Sequence, residues 1–323
     1  MTSSAPPRPP RPPRPQAAIF RPPPEVGTVL VLDVDPGCDP RAGLVALRRE
    51  VAQISEDEPL VGLGAPLVLA LAAEVAGLRG FPALSGMGVA FPSTQGALWL
   101  LVGGDQRGAV LDRAMELYGK LGDGWRLLEE VDTFCYRGGR DLTGYEDGTE
   151  NPRDQAAVDA AVIADGEPGV RGGSFVAVQR YVHDLVRFRG LDATARDAII
   201  GRHHETNDEL AEAAATAHVK RSAQESFEPP AFMLRRSMPW GGVREHGLYF
   251  VAFVEALDRF ERVLRRMAGL DDGQLDALLG ITRALSGGYY FCPPLADDGS
   301  LDLRAVGIDG DAVGIYGDAV FTA

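Results

Sequence analysis

Residues 97–102 (ALWLLV) are an unbroken apolar run, which predicts a buried strand. An amphipathic stretch follows at 108–121, where Val110, Leu111, Ala114, Met115, Leu117 and Tyr118 recur at helical spacing. The same grammar returns far downstream. Residues 247–254 (GLYFVAFV) predict a strand, and 255–267 a helix with Leu257, Phe260, Val263 and Leu264 on one face. Two strand–helix units about 150 residues apart suggest a duplicated α+β domain. Further strands are expected at 29–32, 175–180 and 232–234, and helices at 194–200, 207–215 and 271–284.

The two ends of the chain break this pattern. Ten prolines interleaved with Arg8, Arg11, Arg14 and Arg21 fill the first 24 residues, which predicts an extended, unpacked, polyproline-like tail. It lacks the apolar core of a secretory signal. Residues 296–323 are rich in Asp and Gly and read as a second tail. The expected division is a tail at 1–24, halves at 25–155 and 156–295, and a tail at 296–323.

Composition narrows the function classes. The chain has 323 residues, 45% hydrophobic and 24% charged, as soluble globular proteins do. A formal net charge of −14 argues against a nucleic-acid or anionic-membrane binder. No run approaches the ~18 apolar residues of a membrane-spanning helix. Cys38, Cys135 and Cys292 lie far apart with no CxxC, so a disulfide framework or thiolate zinc site is unsupported and a reducing cytoplasm fits. His183, His203, His204, His218 and His246 form no HxxxH or HxH pair, which leaves only a single axial ligand to a cofactor metal open.

Three segments carry candidate chemistry. GYEDGTENP (144–152) packs three acids, two glycines and a proline into nine residues. A carboxylate held on such a turn has a fixed direction, as proton transfer requires, although taken alone the segment reads as a surface turn. His218, in TAHVKR, can ligate a metal through one nitrogen if an acceptor holds the other N–H, although taken alone it reads as a hydrogen-bonded core or surface histidine. In LRRSMPWG, Arg235 and Arg236 follow an apolar run, which reads either as two solvated arginines or as a guanidinium near a buried region that needs an anion or polarised ligand. An axial His, a proton-moving acid and a charge-stabilising Arg are the parts of a peroxidase.

At this point the chain resembles the dye-decolourising haem peroxidases, most closely their bacterial cytoplasmic subgroup. The resemblance rests on six ordered blocks across residues 17–295: GYEDGTENP, GGSFVAVQRYVHDL, IIGRHHETNDEL, HVKR, RRSMPWG and SGGYYFCPP. It implies a duplicated ferredoxin-like α+β fold, a dimeric α+β barrel with flanking helices, and one haem b against the second half. Carried onto this chain, Asp147 takes the distal aspartate position, Arg235 the distal arginine, and His218 the axial iron ligand. Gly148, Arg202, Ser237 and Asp276 join the cofactor site. Arg202 is placed near the haem propionates, Ser237 stands where many relatives carry Asn, and Asp276 accepts the His218 Nδ1–H. Gly144 and Gly148 would let the backbone approach the porphyrin, with Glu146, Glu150 and Asn151 as turn chemistry.

The implied activity is reduction of hydrogen peroxide with one-electron oxidation of small aromatic donors, phenolic, dye-like or porphyrinogen. Haem handling, by porphyrinogen oxidation, iron release or haem carriage, is the alternative. Trp99, Trp125, Trp240, Tyr289 and Tyr290 are candidate radical sites, each also explained as core packing. The resemblance further implies a homo-oligomer. Relatives packaged in protein nanocompartments carry a C-terminal docking peptide, which Ser300-Leu301-Asp302-Leu303 echoes. An encapsulating shell protein is therefore a candidate partner, against which the acidity of the segment argues.

Overall fold

Alternating apolar positions and two amphipathic helices build each half around one sheet. The structure, a computed structural model, describes residues 14–53 and 59–310. The first half runs β1 (Val26–Val34), α1 (Arg41–Gln53), β2 (Leu60–Gly64), a short excursion of α2 (Ala65–Ala70), β3 (Leu84–Gly86) and β4 (Val89–Phe91), then β5 (Leu98–Gly104), α3 (Arg107–Leu121) and β6 (Trp125–Phe134). The second runs α4 (Asp154–Ala161), β7 (Ser174–His183), α5 (Leu185–Arg189), α6 (Ala193–Ile200), α7 (His218–Arg221), β8 (Leu234–Arg235), β9 (Met238–Gly241), β10 (His246–Val254), α8 (Leu257–Met267), β11 (Thr282–Ala284) and β12 (Gly288–Cys292).

The strands pair in the order β11-β7-β12-β2-β5-β1-β6-β9-β10-β8, and β7 also pairs with β10. That second pairing closes eight antiparallel strands into a barrel, with β8 and β11 as flaps outside it. Counting the four barrel strands of each half, both halves have the order 4-1-3-2 of a ferredoxin-like sheet. They join through β2–β12 and β6–β9. Closure leaves no unpaired barrel edge.

Period-two alternation divides the core. Val29, Val31, Trp99, Val178, Val251 and Tyr290 belong to one buried cluster inside the barrel, where Trp99 Nε1 donates to Tyr249 Oη at 3.2 Å. The opposite strand faces pack under α1, α3 and α8. On α3 the buried face is Val110, Ala114, Leu117 and Leu121, while Met115 is 63% exposed. Among the described residues no helix is long and apolar enough to cross a membrane.

Several expectations need correction. Residues 14–24 are packed, not an unpacked tail. Gln16 is fully buried, donating from Nε2 to Val61 O (2.9 Å) and Pro293 O (3.0 Å) and accepting the Val61 N–H (2.8 Å). Ile19 enters the barrel cluster. At the other end, Leu301, Leu303, Val306 and Ile308 are buried in the outer core, so 296–310 belongs to the folded body. A docking peptide must be exposed, which removes Ser300-Leu301-Asp302-Leu303 from that role. The rest of both expected tails, 1–13 and 311–323, lies outside the described residues. A boundary between 155 and 156 falls in the first turn of α4.

Residues 207–215 are irregular rather than helical, because Asn207 sits at φ +62° and spends its side-chain amide on Glu146 and Thr149. Residues 271–284 do not form a helix either. A short 3-10 turn, Ala277–Gly280, gives way to β11, whose pairing with β7 overrides local helix preference.

Candidate active site

The outer face of the β7–β10 pair carries Gln179, Tyr181 and His183 beside Leu248 and Phe250, and α8 faces it with Phe260, Val263, Leu264 and Met267. Between them lies a cleft that opens to solvent. A second, more polar compartment carries Gly148, Thr149, Glu150, Arg202 and Glu209. Asp147, His218 and Arg235 line both compartments. The space is therefore apolar at one end and charged at the other, with three chemically active side chains between.

His218 opens α7, a single turn that owes its place to tertiary contacts. Arg221 grips Asp272 through both nitrogens (2.6 and 2.7 Å), and Arg266 Nε donates to Arg221 O at 2.8 Å. Behind His218 lies Asp276, fully buried. Its Oδ2 accepts from His218 Nδ1 at 2.8 Å and its Oδ1 accepts the Leu278 N–H at 2.9 Å. An ionised carboxylate only accepts, so Nδ1 carries the proton and Nε2 is the free ring nitrogen. Burial, with the Asp276 charge behind it, pushes the Tyr181 hydroxyl well up from its ordinary range. It stays a donor, to Gln179 Oε1 at 2.8 Å, and Gln179 Nε2 is left buried without a partner.

Arg235 ends β8, and its guanidinium Nη1 stands 3.9 Å from Asp147 Oδ1. Its Nε is buried and unpartnered. The link between the two segments is Asn151, which accepts the Arg235 N–H at 2.9 Å and donates to Arg235 O at 3.0 Å. Asn151 is thus more than turn chemistry. The glycines of this turn also have a local role. A Cβ on Gly148 (φ +76°) would meet Asn151 Nδ2 at 2.7 Å, and one on Gly144 (φ +93°) would meet His204 Nε2 at 2.7 Å. They make room for neighbouring side chains in a left-handed backbone. Glu146 pairs with Arg140 at 2.8 Å, and Glu150 with Arg202 at 2.5 Å. Tyr145 anchors the turn to α6 by donating to Asp197.

A second His–Asp pair steadies the same turn. His183 Nε2 lies 3.0 Å from Asp141 Oδ1, and its Nδ1 lies 2.8 Å from Thr282 Oγ1. Burial pushes the Asp141 carboxyl up, but His183 and the Thr143 donors outweigh it and hold the group below the usual range. Asp141→Asn is expected to cost about 3 kcal/mol at neutral pH, because it breaks a buried pair. The depressed group stabilises the fold fully above its unfolded value near 3.8, and the contribution disappears as pH falls through the lower folded value. Denaturant melts of both proteins from about pH 7 to about pH 2 should show a constant gap that closes only in acid. A gap that stays open at the acid end would remove Asp141 from this role.

Of the residues singled out in the sequence, Asp147, Gly148, Arg202, His218 and Arg235 line the cleft and Asp276 backs it. Ser237 does not join them: its Oγ accepts the Val251 N–H at 3.3 Å, turned toward the sheet. Arg236 is partly buried, and its guanidinium donates to the carbonyls of Ile19, Phe20 and Arg235 (3.0–3.2 Å). Gln179 and His183 were missed. Their signal was available in GGSFVAVQRYVHDL, where alternation puts Gln179, Tyr181 and His183 on one face of an otherwise apolar strand. Asn151 had no sequence signal for its long-range partner. Among the described residues no group of three or more His, Cys, Asp or Glu could hold a metal ion.

Residues 138–297 match the family model described as Dyp-type peroxidase, C-terminal. The chain is 30% identical over 291 residues to a dye-decolorizing peroxidase of Brevibacterium linens, covering 85% of this chain and 79% of the relative. A solved dye-decolorizing protein from V. cholerae superposes with a TM-score of 0.78 at 30% identity, over 85% of this chain and 96% of that one. A Rhodococcus jostii DypB variant in complex with heme gives a TM-score of 0.79 at 30% identity, over 87% and 96%. With the sequence blocks, the duplicated barrel and these relatives in agreement, the chain belongs to the dye-decolourising peroxidase family.

Proposed function

We propose that this protein is a haem peroxidase that reduces hydrogen peroxide and oxidises phenolic and dye-like aromatic donors in one-electron steps. The observation that carries the reading is the convergence of the Asp276-held His218 and the Asp147–Arg235 pair on one cleft. The cleft suits haem b. Its apolar end accepts the macrocycle, and its polar end offers Arg202 to the propionates, a charge-assisted pairing that would compete with Glu150. Two buried donors without partners, Gln179 Nε2 and Arg235 Nε, belong to the cleft wall and await an acceptor.

Haem, when bound, supplies an iron on which peroxide is activated and which passes single electrons. His218 Nε2 is the atom that would hold that iron, and Asp276, on Nδ1, would fix its tautomer and make it more basic. Asp147 takes a proton from peroxide and returns it to the oxygen that departs as water. Arg235 stabilises the negative charge that develops as the O–O bond breaks. Asn151 keeps the two in register by gripping the Arg235 backbone. Two donors each give one electron and one proton, and one peroxide leaves as two waters.

Haem handling is not favoured, since the matched relatives are dye-decolorizing peroxidases. The unpaired cysteines support a cytoplasmic location. The visible absorption spectrum of the reconstituted protein, recorded before and after adding peroxide, tests the reading. A Soret band that shifts with peroxide and returns on adding guaiacol is the expected result. Failure to take up haem would end it.

A further inference from the structure

Val243 and Val186 are 99% and 87% exposed, the highest values among the exposed large hydrophobic residues, and both line one open groove beside β11. Exposed apolar side chains that converge on a concavity mark a binding surface. The groove's charge runs against that of the chain, whose net charge is −14. Arg244 and Arg283 line it with no ion-pair partner among the described residues. Its one acid, Asp184, has Oδ1 committed to capping α5 through the Arg187 N–H (2.9 Å). His246 Nδ1 donates to Gly242 O at 2.9 Å, so Nε2 is the ring atom left to accept a proton. This groove also backs onto the cleft: His183, Leu279 and Thr282 line both. These three residues, on the β7–β11 ladder and the turn before it, form a wall common to the groove and the cleft.

We propose that the groove is the docking site for phenolic reductants that carry a sulfonate or carboxylate, and that their electrons enter the cleft through the shared wall. The proposal rests on the peroxidase reading. The two valines cover the ring, the two arginines hold the acid group, and His246 Nε2 takes the hydroxyl proton and releases it to solvent. Each phenol loses one electron and one proton to become a phenoxyl radical. Two phenols thereby supply the two electrons and two protons that convert one peroxide to two waters.

The test compares para-phenolsulfonate with uncharged guaiacol. Reversing both charges, Arg244→Glu with Arg283→Glu, should raise KM for para-phenolsulfonate about tenfold and change that for guaiacol less than about twofold. Calorimetric binding of para-phenolsulfonate to the haem-loaded protein without peroxide should weaken by the same factor. A Cβ on Gly280 meets nothing within 4 Å, so a side chain can start there without a clash at its base, and Gly280→Phe is the variant that places a ring at the groove. It should lower kcat/KM for both donors while the direct reaction with peroxide keeps its rate. Binding that the charge reversal leaves unchanged overturns the groove. Wild-type protein that oxidises neither donor overturns the peroxidase reading, and the calorimetry still decides the groove.

Discussion

Arg235→Leu is expected to slow the reaction with hydrogen peroxide by about 10²–10³-fold at unchanged haem content. The guanidinium side chain is only 15% exposed, so water screens its charge weakly and the field it casts on a breaking O–O bond is strong. Leucine keeps much of the volume and none of the charge. The fold should survive, because Asn151 grips only the backbone of residue 235 and β8 pairs with β10 through Leu234 and Arg235 main chain. Arg235→Lys should fall between the two, since a point charge lacks the planar fork. Asp147→Asn keeps the shape of the turn and removes proton acceptance, for a loss of about 10²-fold or more. Because the two residues act on one bond, the double variant should be little worse than the poorer single one. Stopped-flow rates against peroxide concentration read all four. Wild-type rates in both Arg235→Leu and Asp147→Asn would dismiss the distal assignments.

What the sequence made legible follows from where its constraints are local. The strand–helix grammar predicted a duplicated α+β domain because 97–102 and 247–254 are continuous apolar runs that became β5 and β10, whereas the barrel came from the family resemblance. His218, Arg235 and Asp147 were visible as residue types in recognisable blocks, and the fold brings them to one cleft. Pairing across the chain was not legible. Nothing near Asn151 indicates that it will meet Arg235, and nothing near Asp141 indicates His183, since both contacts depend on how the segment 139–151 lies against β7 and β8. The terminal segments failed for another reason. Proline content and acidic composition describe 14–24 and 296–310 on average, whereas single residues such as Gln16, Ile19 and Leu301 decide whether they pack. Helix expectation at 271–284 lost to the edge of β7, which offers β11 a ladder that local propensity cannot outweigh.

His218→Ala is expected to weaken haem retention by at least about 100-fold and to abolish peroxide turnover, while leaving the haem-free protein folded. The one-turn helix that carries His218 is not held by that side chain alone. Arg221 and Asp272 pin its other end with bonds of 2.6 and 2.7 Å, and Arg266 ties it to α8. Asp276→Asn is the sharper comparison. Both carboxylate oxygens accept from N–H groups, one on His218 and one on Leu278, at 2.8 and 2.9 Å. An amide offers one acceptor, so its NH₂ must oppose one of those donors in a fully buried site. Either the imidazole changes tautomer, which moves its proton onto the ring nitrogen meant for iron, or the cap on the 3-10 turn is lost. The expected cost is about 10–100-fold in haem affinity, measured by absorbance titration of the haem-free protein. Free imidazole should restore a shifted Soret band to His218→Ala, where a space is open, and not to Asp276→Asn, where the ring remains. Undiminished haem binding in His218→Ala would mean that another side chain holds the iron.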